Sequence, residues 1–187
     1  RFLPAERDGP DVRQHAGDAR IYAIAVELIR HSDSRLDVQQ LTLFLNSFQR
    51  VAPLTIGELW AWPSMLKLAL IENLRRLADE MLDARAAFRA ADALLSRIDS
   101  HPEQASVPLL QDVHSAYVVE LLHRAREHEL RRSPLRTAIE DYLGARGATA
   151  EDVVREEHQR QAASQASVAN VITSLRLCGT LDWRKYV

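Results

Sequence analysis

The first side chains in this 187-residue sequence that could take part in chemistry are a group of histidines. His123 and Glu127 are one helical turn apart, with His128 next to Glu127 and His114 upstream, and metal ligands are often spaced in this way. On a helix, however, His128 points away from the other two. The segment HRAREHELRR is also dense in charge. We therefore interpret it as an exposed polar face and predict no metal site.

A second group lies near the C-terminus, where Glu156, Glu157 and His158 are consecutive and Arg160 follows. Carboxylates and imidazoles exchange protons in general acid–base catalysis. Because no nucleophile or pocket is indicated nearby, an ordinary polar helix face is the better interpretation. Glu157, His158 and Arg160 remain candidate contacts to a partner or a sugar.

Two tryptophans, Trp60 and Trp62, flank Ala61 in the segment ELWAWPSM. Exposed indoles stack on sugar rings or become buried at partner interfaces. Residues two apart on a helix cannot face the same direction. We expect at least one of the two indoles to pack in the core, which leaves the other as a candidate sugar or partner contact.

The motifs of nucleotide chemistry and acyl transfer are missing. The six glycines are isolated, which excludes a phosphate-binding loop and a dinucleotide fingerprint. The sequence also lacks a G-x-S-x-G elbow and an Asp-x-Asp pair. We expect no catalytic, cofactor-binding or metal-binding residues in this segment.

Composition narrows the classes of partner and compartment. A formal net charge of −2 gives no overall attraction to nucleic acid or to an anionic membrane. The single cysteine, Cys178, excludes an intrachain disulfide, and its apolar neighbours indicate a buried, inert thiol. No window approaches the roughly 18 apolar residues that a membrane-spanning helix needs, so we expect a soluble fragment without direct membrane insertion.

The elements that would position these residues are all helices. Apolar residues follow one another at alternating steps of four and three from Leu70 to Ile98, which is typical of a helix packed against others. The pattern predicts an all-α bundle of about seven helices around a long central helix at about 64–98. Thr55 and Glu58 have capping-box spacing before a short helix, and Pro63 either kinks that helix or opens the long one.

Local signals bound the other helices. Asp37 and Thr149 are predicted caps at helix N-termini, and Gly144 with Gly147 is predicted to end a helix. Residues 1–17 are predicted to be an extended lead-in, and 18–187 a single helical domain with 18–99 and 106–187 as candidate sub-units. Because the chain starts with Arg1 and ends in an apolar stretch, we expect a piece of a longer protein, truncated at its C-terminus.

The last helix has a polar first half. Its four-three seam places His158, Gln161 and Gln165 where later turns carry apolar residues. Two interpretations stay open. This half lies at the surface, or the three side chains are buried and hydrogen-bonded as a layer that fixes helix register.

Three long stretches, in the same order, resemble the N-terminal region of cyclic β-1,2-glucan synthases. The central one is VAPLTIGELWAWPSMLKLALIENLRRLADEML, Val51–Leu82. Ile21–Asp37 resembles the segment upstream of it, and Val153–Trp183 the segment that closes the region. The middle of the chain, about 84–150, does not contribute to the resemblance.

The resemblance implies a large bacterial inner-membrane enzyme that polymerises glucose from UDP-glucose into β-1,2-linked rings. The family's transferase domain, with its catalytic aspartates, its Gln-x-x-Arg-Trp motif and a divalent metal, follows this region. Neither motif occurs here. The resemblance therefore implies a non-catalytic helical module on the cytoplasmic side of the membrane, whose partners are other domains of the same polypeptide and whose role is to scaffold or regulate the transferase domain.

Two alternatives belong to other classes. One is a carbohydrate-binding or chain-guiding module that contacts glucan through Trp60 or Trp62. The other is a free-standing helical adaptor protein.

Overall fold

The computed structural model describes residues 20–100, 113–127 and 134–185. Within these ranges the chain forms six α-helices and a short 3₁₀ helix, and no strand. The helices are α1 (Arg20–His31), α2 (Val38–Val51), α3 (Ile56–Ser100), α4 (Ser115–Glu127), α5 (Pro134–Arg146) and α6 (Ala150–Thr180), followed by the 3₁₀ helix Trp183–Lys185. The predicted all-α class is confirmed. The predicted lead-in, 1–17, lies outside the described residues.

The central helix α3 starts earlier than predicted, at Ile56 rather than near residue 64. The predicted capping box is present, since the Thr55 hydroxyl accepts from the Glu58 amide at 3.2 Å and the Glu58 carboxylate accepts from the Thr55 amide at 2.8 Å. Pro63 lies inside the helix. Pro63 removes one backbone hydrogen bond but does not end the helix. The two helices predicted on either side of it are therefore one helix, and the described ranges contain six helices instead of about seven.

The predicted seam of α3 is largely buried. Its buried members are Leu70, Leu77, Ala84, Ala91 and Leu95. Met81, at the middle of the same seam, is 47% exposed. The regular spacing therefore predicted most of the packing of this helix correctly, but burial is interrupted at Met81.

The chain divides into two compact units. The first contains the described residues up to Arg75 together with those from Ala166 onwards, and the second is Arg76–Gln165. In the first unit, α1, α2, the early part of α3 and the later part of α6 contribute to the core. Its most deeply buried side chains include Ala25, Leu41, Trp62, Leu66, Leu70 and Val171. The predicted sub-units, 18–99 and 106–187, stay a prediction.

The second unit has its own hydrophobic core. It is built by the later part of α3 with α4, α5 and the start of α6. Its buried residues are Ala91, Leu94, Leu95, Val118, Leu121, Leu135, Ile139, Tyr142 and Val153. A Leu, Ile or Val side chain contributes about 1.5–3 kcal/mol when fully buried, so such a core can hold the four segments together.

Helix ends follow the predicted signals with one exception. Asp37 caps α2 by accepting from the Gln40 amide at 2.8 Å. Thr149 caps α6 by accepting from the Asp152 amide at 3.1 Å. Gly147, with φ of 60°, ends α5 in the left-handed conformation that glycine adopts most readily. Gly144 was also predicted to end this helix, but it lies inside α5.

Among the residues that the structure describes, none of the helices is both long and apolar enough to cross a membrane.

Candidate functional site

The two tryptophans of α3 differ sharply in environment. Trp62 is 1% exposed and stacks on Phe44 of α2, with ring centroids 6.0 Å apart and ring planes 11° apart. Trp60 is 67% exposed. The expectation that at least one indole packs in the core is confirmed. Of the two candidate contacts, Trp62 is inaccessible to a sugar or a partner in this conformation, and Trp60 is accessible.

Trp60 belongs to a larger apolar surface, which we call the exposed face of α3. It contains Ile56, Trp60, Leu68 and Ile71, which are 73%, 67%, 50% and 54% exposed. At 100° per residue these four side chains fall within about one third of the helix circumference. Lys67 is the charged residue on that arc. Four large exposed apolar side chains on one side of a helix are typical of a surface that contacts a partner.

The predicted seam of α3 does not include this face, although the spacing of the face is present in the sequence. Ile56, Trp60, Leu68 and Ile71 are separated by four, eight and three residues, which is a helical stripe of its own. It lies beside the seam that starts at Leu70. Two apolar stripes on one helix indicate two contacts, and among the residues that the structure describes only one of the stripes is buried.

Glu157 is the buried charged group of the second unit, with its side chain 0% exposed. Its carboxylate accepts from the Ser115 hydroxyl at 2.6 Å, from the Arg160 guanidinium at 3.0 and 2.7 Å, and from the Gln161 amide at 2.9 Å. These contacts join the start of α4 to α6. Every oxygen of the carboxylate is occupied, so the arrangement suits a structural ion pair better than proton transfer.

The pKa of Glu157 reflects two opposing effects. Burial raises it, but the hydrogen bonds from Arg160, Ser115 and Gln161 outweigh burial and hold the pKa below its ordinary value. Glu157 is therefore ionised at neutral pH. A general acid at neutral pH needs a raised pKa, which is the opposite shift.

Of the two interpretations of the polar half of α6, a surface location and a buried polar layer, the structure supports the surface location. His158 and Gln165 are exposed, and Gln161 is half-buried. The buried polar residue is Glu157, one position before the predicted seam. Of the three candidate contacts on α6, His158 is open to solvent, Arg160 is half-buried on Glu157, and Glu157 is inaccessible.

A second buried polar cluster holds the turn between α1 and α2. The Ser174 hydroxyl donates to the Ser34 carbonyl at 2.6 Å and accepts from the Leu36 amide at 2.9 Å. The Asn73 amide donates to the Ser34 hydroxyl at 2.6 Å. Ser34 has φ of 62°, a conformation that residues other than glycine rarely adopt. The contacts from α3 and α6 hold the turn in this conformation.

The histidine group does not form a site among the described residues. His114 caps α4, since its Nδ1 accepts from the Ala116 amide at 3.1 Å. His123 is exposed. His128 lies outside the described residues, as does the side chain of Glu127. Within the described ranges, no three His, Cys, Asp or Glu residues are placed to hold a metal ion.

Cys178 is 1% exposed, and burial raises the pKa of its thiol. A raised pKa lowers the thiolate fraction and therefore the reactivity of the sulfur. The predicted burial of this thiol is confirmed, and its inertness stays a prediction.

Comparison with known proteins supports the resemblance seen in the sequence. No protein-family model matches the chain. The cyclic beta-(1,2)-glucan synthase NdvB of Rhizobium meliloti strain 1021 is 31% identical to it over 170 residues, which is 88% of this chain and 6% of that protein. The chain thus spans a small part of the length of the relative it matches. The resemblance to cyclic β-1,2-glucan synthases is confirmed, and the chain is related to a segment of that family.

Proposed function

We propose that the chain is a non-catalytic helical module of a cyclic β-1,2-glucan synthase, and that it scaffolds or regulates the transferase domain by packing against it. In this proposal the synthase polymerises glucose from UDP-glucose, and donor and divalent metal bind in the transferase domain. The module lies on the cytoplasmic side of the bacterial inner membrane.

The observation that carries the proposal is the exposed face of α3. Its four apolar side chains are each at least half exposed. Burying side chains of this size contributes about 1.5–3 kcal/mol each, which is enough to favour docking on an apolar partner. The matched part is 6% of the relative, so most of that protein lies outside the match and can supply an intramolecular partner.

The occupant we assign to the face is another domain of the same polypeptide. The face contains one charged residue, Lys67, so an apolar surface complements it better than a charged one. A domain linked through the chain needs less affinity than a separate protein, because the linkage gives a high effective concentration.

The experiment is glucan synthesis by the full-length synthase that carries this segment. Trp60→Asp and Ile71→Asp each place a carboxylate in the proposed interface, and we expect at least about a tenfold loss of activity, since an unpaired buried charge costs several kcal/mol. Leu43→Asp is the matched control, because Leu43 is also 67% exposed but lies on α2. We expect that variant to retain activity.

Circular dichroism of the same variants in the 187-residue chain separates docking from folding. All three sites are exposed, so the helical signal and the unfolding midpoint should stay unchanged. Normal synthesis by both α3 variants, or equal loss in Leu43→Asp, would contradict the docking role.

A second candidate function rests on Trp60 alone. An indole that is 67% exposed on an apolar stripe can stack on the C–H face of a glucose ring. In this alternative the module contacts the growing glucan. Titration with linear β-1,2-glucan should then change the tryptophan fluorescence of the chain, and Trp60→Phe should abolish the change. An unchanged spectrum would count against it.

A further inference from the structure

We infer that the domain covering the exposed face of α3 presents a carboxylate to it, and that this carboxylate pairs with Lys67. The inference rests on the proposed function, because it describes the partner of the same face. Lys67 is half-buried and lies, by helical rotation, about 20° from both Ile56 and Trp60. Docking on this face therefore brings one ammonium group, together with the apolar side chains, against the partner.

Lys67 has no counter-ion on its own helix. Side chains pair along a helix when they are three or four positions apart. The four residues at these distances from Lys67 are uncharged: Pro63, Ser64, Leu70 and Ile71. The next cation along α3 shows the contrast, since Arg75 pairs with Glu72 at 2.6 Å. In the part of the chain that the structure describes, no carboxylate pairs with Lys67.

The Cys178 thiol of α6 lies close enough to Lys67 to respond to its charge. Burial raises the pKa of this thiol, and the positive charge of Lys67 opposes the rise. Because the pKa is raised overall, the thiol is neutral at pH 7 and does not act as a counter-ion. The ammonium of Lys67 is therefore near α6, and the described chain does not neutralise it.

An ammonium without a counter-ion opposes docking. Closing an apolar partner over the face removes water from Lys67, and a charge that loses water without a partner weakens association strongly. If the long stem instead carried the charge to solvent at the rim, the ammonium would contribute little to docking. Lys67 is half-buried before any partner binds, which favours the paired arrangement.

A carboxylate is the partner that fits this charge. The occupant of the face is a protein domain, and the side chains that are anionic at neutral pH are those of Asp and Glu. A backbone carbonyl accepts a hydrogen bond from an ammonium but leaves its charge unneutralised. One acidic residue within an apolar surface also selects the docking position, because a misplaced surface leaves both charges unpaired. Lys67 is thus a specificity-determining residue of the face.

The direct test is carbodiimide coupling in the full-length synthase that carries this segment. A carbodiimide joins a lysine amine to a carboxylate when the two are in contact, and peptide mass spectrometry identifies the pair. We expect Lys67 to couple to an Asp or Glu outside the segment. Lys67→Arg keeps the charge but has no reactive amine, so this variant should lose the product while docking persists.

A second measurement separates the paired arrangement from a charge at the rim. A photoreactive amino acid in place of Ile71 reports docking through the yield of cross-linked peptide. Lys67→Met leaves the partner's carboxylate unpaired, so the yield should fall at least about threefold, whereas Lys67→Arg should retain it within about twofold. Arg176→Met is the control, because Arg176 is exposed on the side of α6 opposite Ser174 and Cys178, and its yield should stay unchanged.

The outcomes distinguish the pairing from the docking role. Absence of the coupled product, or a yield in Lys67→Met that is unchanged or higher, would overturn the pairing and leave the docking role standing. If position 71 gives no cross-link in the unchanged enzyme, the docking role fails and the pairing fails with it. Circular dichroism of each variant in the 187-residue chain shows that the helices are intact, so that a lower yield reports docking.

Discussion

Trp60 and Trp62 are separated by a single residue in α3, yet Trp60 is 67% exposed and Trp62 is 1% exposed and stacked on Phe44. The helical rotation of about 200° between the two positions accounts for the difference. One indole stabilises the first unit, and the other extends an apolar stripe on its surface. The segment ELWAW thus combines a core residue and a surface residue, and the two can be separated by substitution.

Trp62→Ala should destabilise the first unit strongly. Loss of a buried indole removes its packing on Phe44 and leaves a cavity, and we expect a decrease in the free energy of unfolding of about 3–5 kcal/mol. Trp60→Ala should change it by less than about 0.5 kcal/mol. Urea unfolding followed by circular dichroism measures both. Equal destabilisation by the two substitutions would refute the assignment of core and surface.

Glu157→Ala should destabilise the second unit. The substitution leaves Ser115 and Gln161 without their acceptor and removes the partner of Arg160, and we expect a loss of about 2–3 kcal/mol, as for hydrogen bonds to a charged group. Arg160 is 35% exposed, so water can replace part of what it loses. Glu156→Ala, at the neighbouring exposed position, is the control and should be nearly neutral. A neutral Glu157→Ala variant would show that the network does not hold α4 to α6.

Ser174→Ala should loosen the turn between α1 and α2. It leaves the buried Leu36 amide without an acceptor, for which we expect about 1–3 kcal/mol. Thr173→Ala, one position earlier and exposed, should be close to neutral. Amide hydrogen exchange of Leu36 gives a local readout, and it should accelerate in the first variant only. Unchanged protection of Leu36 would contradict the contact.

The capping box of α3 should respond to acid. The Arg20 guanidinium donates to the Glu58 carboxylate at 2.8 Å, and this hydrogen bond, together with those from Thr55, lowers the pKa of Glu58 from 4.5 to about 2. Because the folded-state pKa is depressed, the stabilising contribution is present above pH 4.5 and is lost as the pH falls towards 2.

An NMR titration of the Glu58 side-chain carboxyl carbon measures this pKa directly. In Arg20→Ala we expect the pKa of Glu58 to rise towards 4.5 without reaching it, because the Thr55 contacts remain. A midpoint near 4.5 in the unchanged chain would show that the ion pair does not persist in solution.

Local signals in the sequence predicted the starts of three helices correctly. The caps at Asp37, Thr55 and Thr149 act within a few residues, so their spacing is sufficient. Pro63 was harder to interpret, because proline is compatible both with a helix start and with a costly interior position. The continuity of α3 through Pro63 depends on packing of residues such as Trp62 and Leu66, which no local rule includes.

The candidate sites were less predictable for the same reason. Glu157 is charged and one position off the apolar seam, so a local pattern assigns it to the surface. Its burial depends on Ser115, 42 residues away in the sequence. Similarly, the exposed face of α3 is apolar, and only the fold shows that no element of the described chain covers it.

The central claim is that the exposed face of α3 packs against another domain of the synthase, and site-specific photo-cross-linking tests it most directly. A photoreactive amino acid in place of Ile71, in the full-length enzyme, should cross-link to a peptide outside this segment, and one in place of Leu43 should not. Absence of a cross-linked peptide from position 71, or equal cross-linking from both positions, would contradict the claim.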